Sequence, residues 1–214
     1  GIDHDHVEAI VGRPTYWRNR RATTLALWEG RRDEVVESLK HDYAALVDAL
    51  DYDIVPVELV PPRGYVDPDP PQPAGDGVWR NSKGVEYRYA ASNDSIMCMA
   101  PPPPPRESLT DEDVERAMER ARAPIDESRF ELIDFIAERY AGTKALVYRG
   151  LRGYGEMTAP FGGDQAHRLM MTLLAPNDMK RLQSAAVAAN RQAIEHCARK
   201  GVAICMFGHD FGTN

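Results

Sequence analysis

The sequence predicts an α/β fold with a parallel sheet, and two observations carry this prediction. Helical patterns and short apolar runs alternate through residues 111–207, with a whole helix between successive strands. Connections of that length are too long for hairpins and are typical of right-handed βαβ units. Residues 202–207 (VAICMF) are apolar throughout, as in a strand that is covered on both faces. The all-parallel solutions are an open, doubly wound sheet and a (β/α)8 barrel.

The N-terminal segment, residues 1–52, is predicted to be helical. Residues 18–29 are amphipathic, and Gly30 is a natural stop for that helix. In residues 33–50 apolar side chains recur at spacings of three and four, which gives one apolar stripe along a helix. The stripe consists of Val36, Leu39, Tyr43, Leu46, Val47 and Leu50.

The first predicted strand, residues 54–60 (IVPVELV), contains Glu58 as its only charge. Burying an unpaired carboxylate is costly, so Glu58 is either a site residue or a solvent-facing residue at the end of the strand. The sequence leaves both interpretations open. Residues 61–73 contain six prolines and are predicted to form an extended, stiff connection.

A β-hairpin is predicted at residues 78–89, because the alternating segment 85–89 follows the loop composition Asn-Ser-Lys-Gly. Residues 95–99 (SIMCM) are a further short apolar run, preceded by Asn93 and Asp94. Five consecutive prolines follow, and we interpret them as a rigid spacer, with a docking site for a proline-binding module as the alternative.

The segment after the prolines supplies the alternating helices and strands. Thr110 and Asp113 have the spacing of a capping box, and Pro124 ends the helix that they begin. A strand is predicted at residues 144–148. Its exit loop, 149–155, holds three glycines, two arginines and Tyr154. This composition suits an anion or a carboxylate-bearing ligand, and a surface loop without a ligand is the alternative.

Composition excludes several classes of function. A formal net charge of -7 argues against nucleic acid as the main partner, because phosphate binding needs a basic surface. No apolar run approaches the ~20 residues that a membrane helix requires. The three cysteines are widely spaced and form no CxxC motif, which suits a reducing compartment. We therefore expect a soluble, cytoplasmic protein with no nucleic-acid or membrane partner.

The best functional candidate follows the last predicted strand. Ligands bind at the carboxyl ends of parallel strands, and His209 and Asp210 stand at such an end, flanked by glycines. We expect His209 to face inward, with Asp94 at the same mouth of the sheet.

Several stretches resemble the uroporphyrinogen decarboxylase superfamily. They are NRRATTLALWEGRR with IVPVELVPP, SNDSIMCM, GLRGYGEMTAPFGG and, most strongly, VAICMFGHDFGTN. The resemblance implies a (β/α)8 barrel with its cleft at the carboxyl ends of the strands, here over residues 53–214 with the hairpin as an insertion. Such a barrel takes about 250 residues, and we count only about four barrel strands. We therefore expect an incomplete barrel that a longer chain, a second chain or a homo-oligomer completes.

The superfamily contains porphyrinogen decarboxylases and methyltransferases that work with corrinoid proteins. The decarboxylases carry an Arg-Gln-Ala-Gly-Arg loop after the first strand, whose arginines hold the substrate's propionates. The matching place here has prolines and a single Arg63. Because many carboxylates need several arginine clamps, the resemblance favours the methyltransferase or demethylase branch. Decarboxylation is the runner-up, and a non-catalytic binding or assembly module is the third interpretation.

In the favoured branch, a methyl group moves between a small O- or N-methylated compound and a corrinoid (cobalamin) protein or folate. Some members use zinc to lower the pKa of a thiol. Cys205 and His209 lack the spacing of zinc ligands, so the metal stays unknown and Cys205 is assigned to the core. His209, Asp210 and Asp94 are the candidates for catalysis. The candidates for substrate binding are Glu58, Arg63, Asn93 and Tyr154.

Overall fold

The structure is a computed structural model that describes residues 4–206. It is a mixed α/β protein with about 51% helix and with both parallel and antiparallel pairing. The chain divides into two compact units. Unit 1 comprises Gly1–Val55, Leu59–Ala100 and Glu127–Tyr140, and unit 2 comprises Pro56–Glu58, Pro101–Asp126 and Ala141–Asn214.

Unit 1 contains a helical layer. Its helices are α1 (His4–Val11), α2 (Arg20–Trp28), α3 (Arg32–Leu50) and α5 (Glu131–Tyr140), the last preceded by a 3₁₀ turn at Glu127–Phe130. The apolar stripe predicted for residues 33–50 is confirmed in α3 for Val36, Tyr43, Leu46 and Val47, which are buried, whereas Leu50 at its end is 41% exposed. Because α3 packs against α1, α2 and α5, this stripe forms the centre of the unit.

Unit 1 also contains an antiparallel sheet in the order β2-β3-β4-β5. Its strands are β2 (Gln72–Gly75), β3 (Val78–Arg80), β4 (Glu86–Ala90) and β5 (Ser95–Cys98). The predicted hairpin is confirmed, with Trp79 opposite Tyr87. β5 pairs antiparallel with β4, because the four residues between them are too few for a parallel crossover. Residues 95–98 therefore belong to this sheet and not to the parallel one.

Unit 2 contains the parallel strands β6 (Ala145–Tyr148) and β7 (Ile204–Cys205), with Val147 opposite Ile204. The predicted parallel pairing of these segments is confirmed, although β7 is shorter than the apolar run. Strand β1 (Ile54–Val57) crosses the division between the units and completes the sheet order β1-β6-β7. Within residues 4–206 neither sheet closes into a barrel.

The helices of unit 2 are α4 (Asp111–Arg122), α6 (Tyr154–Thr158), α7 (Gln165–Leu174) and α8 (Pro176–Arg199). Helices α4 and α8 meet through a buried cluster of alanines, Ala121, Ala185 and Ala189. Among the described residues, no helix is long and apolar enough to cross a membrane.

The predicted capping box at the start of α4 is present. The Asp113 backbone N–H donates to Thr110 Oγ1 at 3.2 Å, and the Thr110 backbone N–H donates to Asp113 Oδ2 at 2.9 Å. We expect Thr110→Ala to lower the free energy of unfolding by about 1 kcal/mol, because one backbone donor loses its acceptor. Urea denaturation measures this loss. Thr110→Ser, which keeps the hydroxyl group, is the control, and an equal loss in both variants would contradict the capping role.

Candidate functional site

Three strand ends line up along one edge of the sheet in unit 2. The Arg149 backbone N–H donates to the carbonyl oxygen of Val57 at 3.1 Å, and the Met206 N–H donates to that of Tyr148 at 2.7 Å. Glu58, Arg149 and Met206 therefore each leave the end of a strand at neighbouring positions. Carboxyl edges of parallel sheets are the usual place for ligands in α/β folds, so this edge is the candidate site.

Buried side chains anchor this edge. Val57 and Leu146 are fully buried, and Tyr148 is 1% exposed. The Tyr148 hydroxyl donates to the carbonyl oxygen of Gly150 at 3.0 Å. A Cβ at Gly150 would lie 2.6 Å from that hydroxyl oxygen, so only glycine allows the loop to fold back over the ring. This close approach fixes where the chain leaves the sheet and hence where Arg149 starts.

The electrostatics of the edge single out Glu58. Burial raises the pKa of its carboxyl group, and the positive charge of Arg149 opposes the rise without cancelling it. The Glu58 residue is nevertheless exposed to solvent. Water therefore screens this effect, and only the upward direction of the pKa is kept. Glu58 is therefore an acid that keeps its proton to higher pH than an ordinary glutamate.

Cys205, at the end of β7, behaves differently from an activated thiol. It is half-buried, and burial raises the pKa of its thiol. A thiol in this setting stays protonated at neutral pH, and the thiolate is the form that binds metal or attacks carbon. Among residues 4–206, no group of three or more His, Cys, Asp or Glu side chains could hold a metal ion. The described residues thus do not fit the zinc that the resemblance allows.

Asp94 and Asn93 lie in the turn between β4 and β5 of unit 1, rather than after a strand of the parallel sheet. Asp94 has a left-handed backbone (φ 46°), and its Oδ1 accepts a hydrogen bond from the Tyr89 hydroxyl at 3.0 Å. Its Oδ2 is buried with no hydrogen-bond partner among the described residues. Asn93 Oδ1 accepts from the Ser95 hydroxyl at 2.7 Å. Both side chains therefore stabilise a tight turn, and Asp94 retains one unused acceptor.

Arg63, in unit 1, follows β1 in the proline-rich segment. Its backbone N–H donates to Ser128 Oγ at 2.7 Å, and its Nη2 lies 3.6 Å from Glu131 Oε2. The side chain is 71% exposed, so this ion pair is loose.

For the remaining predicted site residues, the structure gives the position of Tyr154 in the fold but not those of His209 and Asp210. Tyr154 is the first residue of α6. His209 and Asp210 lie outside the described residues. Arg149 was predicted only as one of two arginines in the loop 149–155, and its position directly after the predicted strand 144–148 was the signal that could have singled it out.

The chain is thus a mixed α/β protein in which Glu58 and Arg149 follow neighbouring strands of one sheet. No protein-family model, curated protein or solved structure matches the chain.

Proposed function

We propose that this protein is a corrinoid-linked methyltransferase of the uroporphyrinogen decarboxylase-like superfamily. It moves a methyl group between a small O- or N-methylated compound and a corrinoid protein or folate. The proposal includes a (β/α)8 barrel as the complete fold. The observation that carries it is the position of Glu58 and Arg149 at neighbouring strand ends on one edge of the sheet, where the pKa of the Glu58 carboxyl group is shifted upward.

The chemistry of demethylation explains why such an acid is needed. When the methyl carbon is transferred, the C–O or C–N bond breaks and its electron pair stays on the oxygen or nitrogen. That atom must gain a proton, and a positioned acid contributes about 10²–10⁴-fold to such a step. A glutamate with a raised pKa can supply the proton at higher pH, while Arg149 is placed to orient a polar group of the substrate. Cys205 takes no part, because its thiol stays protonated.

The runner-up, decarboxylation of a tetrapyrrole with many carboxylates, has less support at the position matched by the resemblance. Arg63, the one arginine that remains there, is largely exposed and lies near Glu131. A clamp for propionates needs several converging guanidinium groups.

Methyl transfer is tested with methoxy and methylamine compounds as donors and a cob(I)alamin protein as acceptor. We expect methylcobalamin to accumulate, followed by its absorbance, and the rate to fall in His209→Ala and Asp94→Asn. Asparagine tolerates the left-handed backbone and still accepts from Tyr89, so the second variant removes only the charge. Asp76→Asn, an exposed position in the same sheet's first turn, is the matched control.

Two outcomes would contradict the proposal, and a third would change the residues assigned to its site. Release of carbon dioxide from uroporphyrinogen without methyl transfer would favour the decarboxylase. No turnover with any of these substrates, together with unchanged partner binding in the variants, would favour a non-catalytic module. Full activity in the His209→Ala/Asp94→Asn double variant would remove both residues from the site.

A further inference from the structure

Unit 2 contains a cavity of about 350 Å³ whose lining includes none of the residues described above at the sheet edge. Its lining residues are Arg106 and residues of α4, α8 and the segment that follows β6. The apolar part of the lining includes Leu182, which is buried, together with Met157 and Pro160. Small side chains leave the space open, because Ala117 and Ala121 of α4 face Ala185 and Ala186 of α8. The cavity is therefore a consequence of alanines where larger residues would fill the gap.

The polar lining of this cavity is strongly basic. Among the described side chains, four arginines line it, Arg106, Arg116, Arg120 and Arg152, against one carboxylate, Asp113. This is unexpected in a chain with a formal net charge of -7. Arg116 and Arg120 share one face of α4, because residues four apart are neighbours on a helix. The helix thus supplies two of the four arginines, and Arg106 and Arg152 come from the segments before α4 and after β6.

The pairing of these arginines shows which of them can bind a ligand. Arg106 is held by an ion pair with Asp113. Arg116 pairs with Glu112 at 2.6 Å on the exposed surface, where such pairs contribute little and re-form readily. Arg120 Nε donates to the carbonyl oxygen of Arg116 at 3.2 Å. Among the described side chains, no carboxylate forms an ion pair with Arg120 or Arg152.

Arg152 is held in place through its backbone. The Arg152 N–H donates to Asn190 Oδ1 at 2.7 Å, and Asn190 Nδ2 donates to the Arg152 carbonyl oxygen at 3.2 Å. One side chain of α8 therefore fixes the loop at this residue on both sides. A loop that is already ordered loses less entropy when a ligand binds, so the guanidinium is placed at the cavity in advance.

We propose that this cavity binds a small organic dianion, either a phosphate monoester or a dicarboxylate. Guanidinium groups bind both through paired, charge-assisted hydrogen bonds. Arg120 and Arg152 bind the anionic groups, and the apolar part of the lining contacts the carbon skeleton. This cavity and the sheet edge share no residues. A negative result for anion binding would therefore not affect the proposed methyl transfer, and the reverse also holds.

Calorimetric titration with phenyl phosphate, inorganic phosphate and succinate tests this site. We expect binding that weakens as sodium chloride is added, because salt screens exposed charges. The Arg120→Gln/Arg152→Gln variant should lose about tenfold in affinity for each guanidinium removed. A higher affinity for phenyl phosphate than for succinate identifies a phosphate ester as the ligand class. A higher affinity for succinate identifies a dicarboxylate.

The matched control is Arg181→Gln/Arg191→Gln, which removes the same charge from α8 away from the cavity. Equal weakening in the two double variants would overturn the proposal, since net charge alone would then explain binding. So would the absence of heat for all three anions at millimolar concentration. Ala186→Leu fills the cavity without changing charge, and unchanged affinity for phenyl phosphate in this variant would place the anion elsewhere. Thermal unfolding checks that each variant is folded.

Discussion

Replacing Glu58 with glutamine is expected to reduce the rate of methyl transfer by about 10²–10⁴-fold, the usual contribution of a positioned acid. Glutamine keeps the size and polarity of the side chain but has no proton to give to the leaving oxygen or nitrogen. The wild-type rate should fall on the alkaline side, as the carboxyl group ionises, and the variant should lack this fall. The measurement is the pH profile of kcat/KM for both proteins.

The control for this prediction is Glu119→Gln on α4, an exposed glutamate outside the sheet edge. We expect it to retain the wild-type rate. A Glu58→Gln variant that is as active as Glu119→Gln would show that the proton comes from another group.

Glu58→Gln is also expected to change the stability of the protein in the absence of any substrate. Because burial raises the pKa of Glu58 in the fold, ionising it costs more in the folded than in the unfolded chain. The stability that the protonated Glu58 contributes is therefore fully present below the pKa of this group in the unfolded chain. It is lost as the pH rises through the pKa of the same group in the folded chain. Glu58→Gln should exceed the wild type in free energy of unfolding at neutral pH, with the difference vanishing near pH 4. A variant less stable at neutral pH would contradict the direction of the shift.

Replacing Arg32 with leucine is expected to lower the free energy of unfolding by about 3 kcal/mol. The side chain is 3% exposed, and its Nη1 lies 3.0 Å from Glu131 Oε2. Its Nε donates to the Pro61 carbonyl oxygen at 2.8 Å, and its Nη2 to that of Ser128 at 3.3 Å. Leucine leaves these carbonyl groups without the donor and removes one of the three cations that pair with Glu131. Urea denaturation measures the loss.

The pKa of Glu131 reports on the same cluster. Burial raises it, but Lys40 and Arg32 together outweigh burial and leave it below the ordinary value. Lys40, at 2.8 Å, remains in the variant, which is why we expect the lower end of the usual cost of breaking a buried pair. The control is Arg139→Leu, whose partner Asp48 is exposed and whose loss should be much smaller. Equal losses would show that burial of Arg32 contributes nothing.

Features set by neighbouring residues were predictable from the sequence. The stripe in α3 and the capping box of α4 depend on residues three and four positions apart. The parallel pairing of β6 with β7 followed from the long connection between them. Glu58 was predictable as a candidate because a lone charge stood at the end of an apolar run.

Features set by distant residues were not predictable. β1 ends earlier than its apolar run, because the N–H of Val60 donates to the carbonyl oxygen of Arg129 at 3.0 Å instead of to a strand. Arg32 resembles any surface arginine until its contacts with residues 61, 128 and 131 are known. The basic cavity joins arginines from residues 106 to 152, and only the packing of α4 on α8 brings them together.

Alanine methyl groups form one part of the contact between α4 and α8, so at Ala121, Ala185 and Ala189 only small side chains separate the two helices. A larger side chain at Ala189, which touches no ligand, would push the helices apart. The guanidinium groups on α4 would then move relative to Arg152, whose loop is tied to α8. Selectivity for anions of different length could in this way be tuned from inside the protein, without altering any residue that meets the anion.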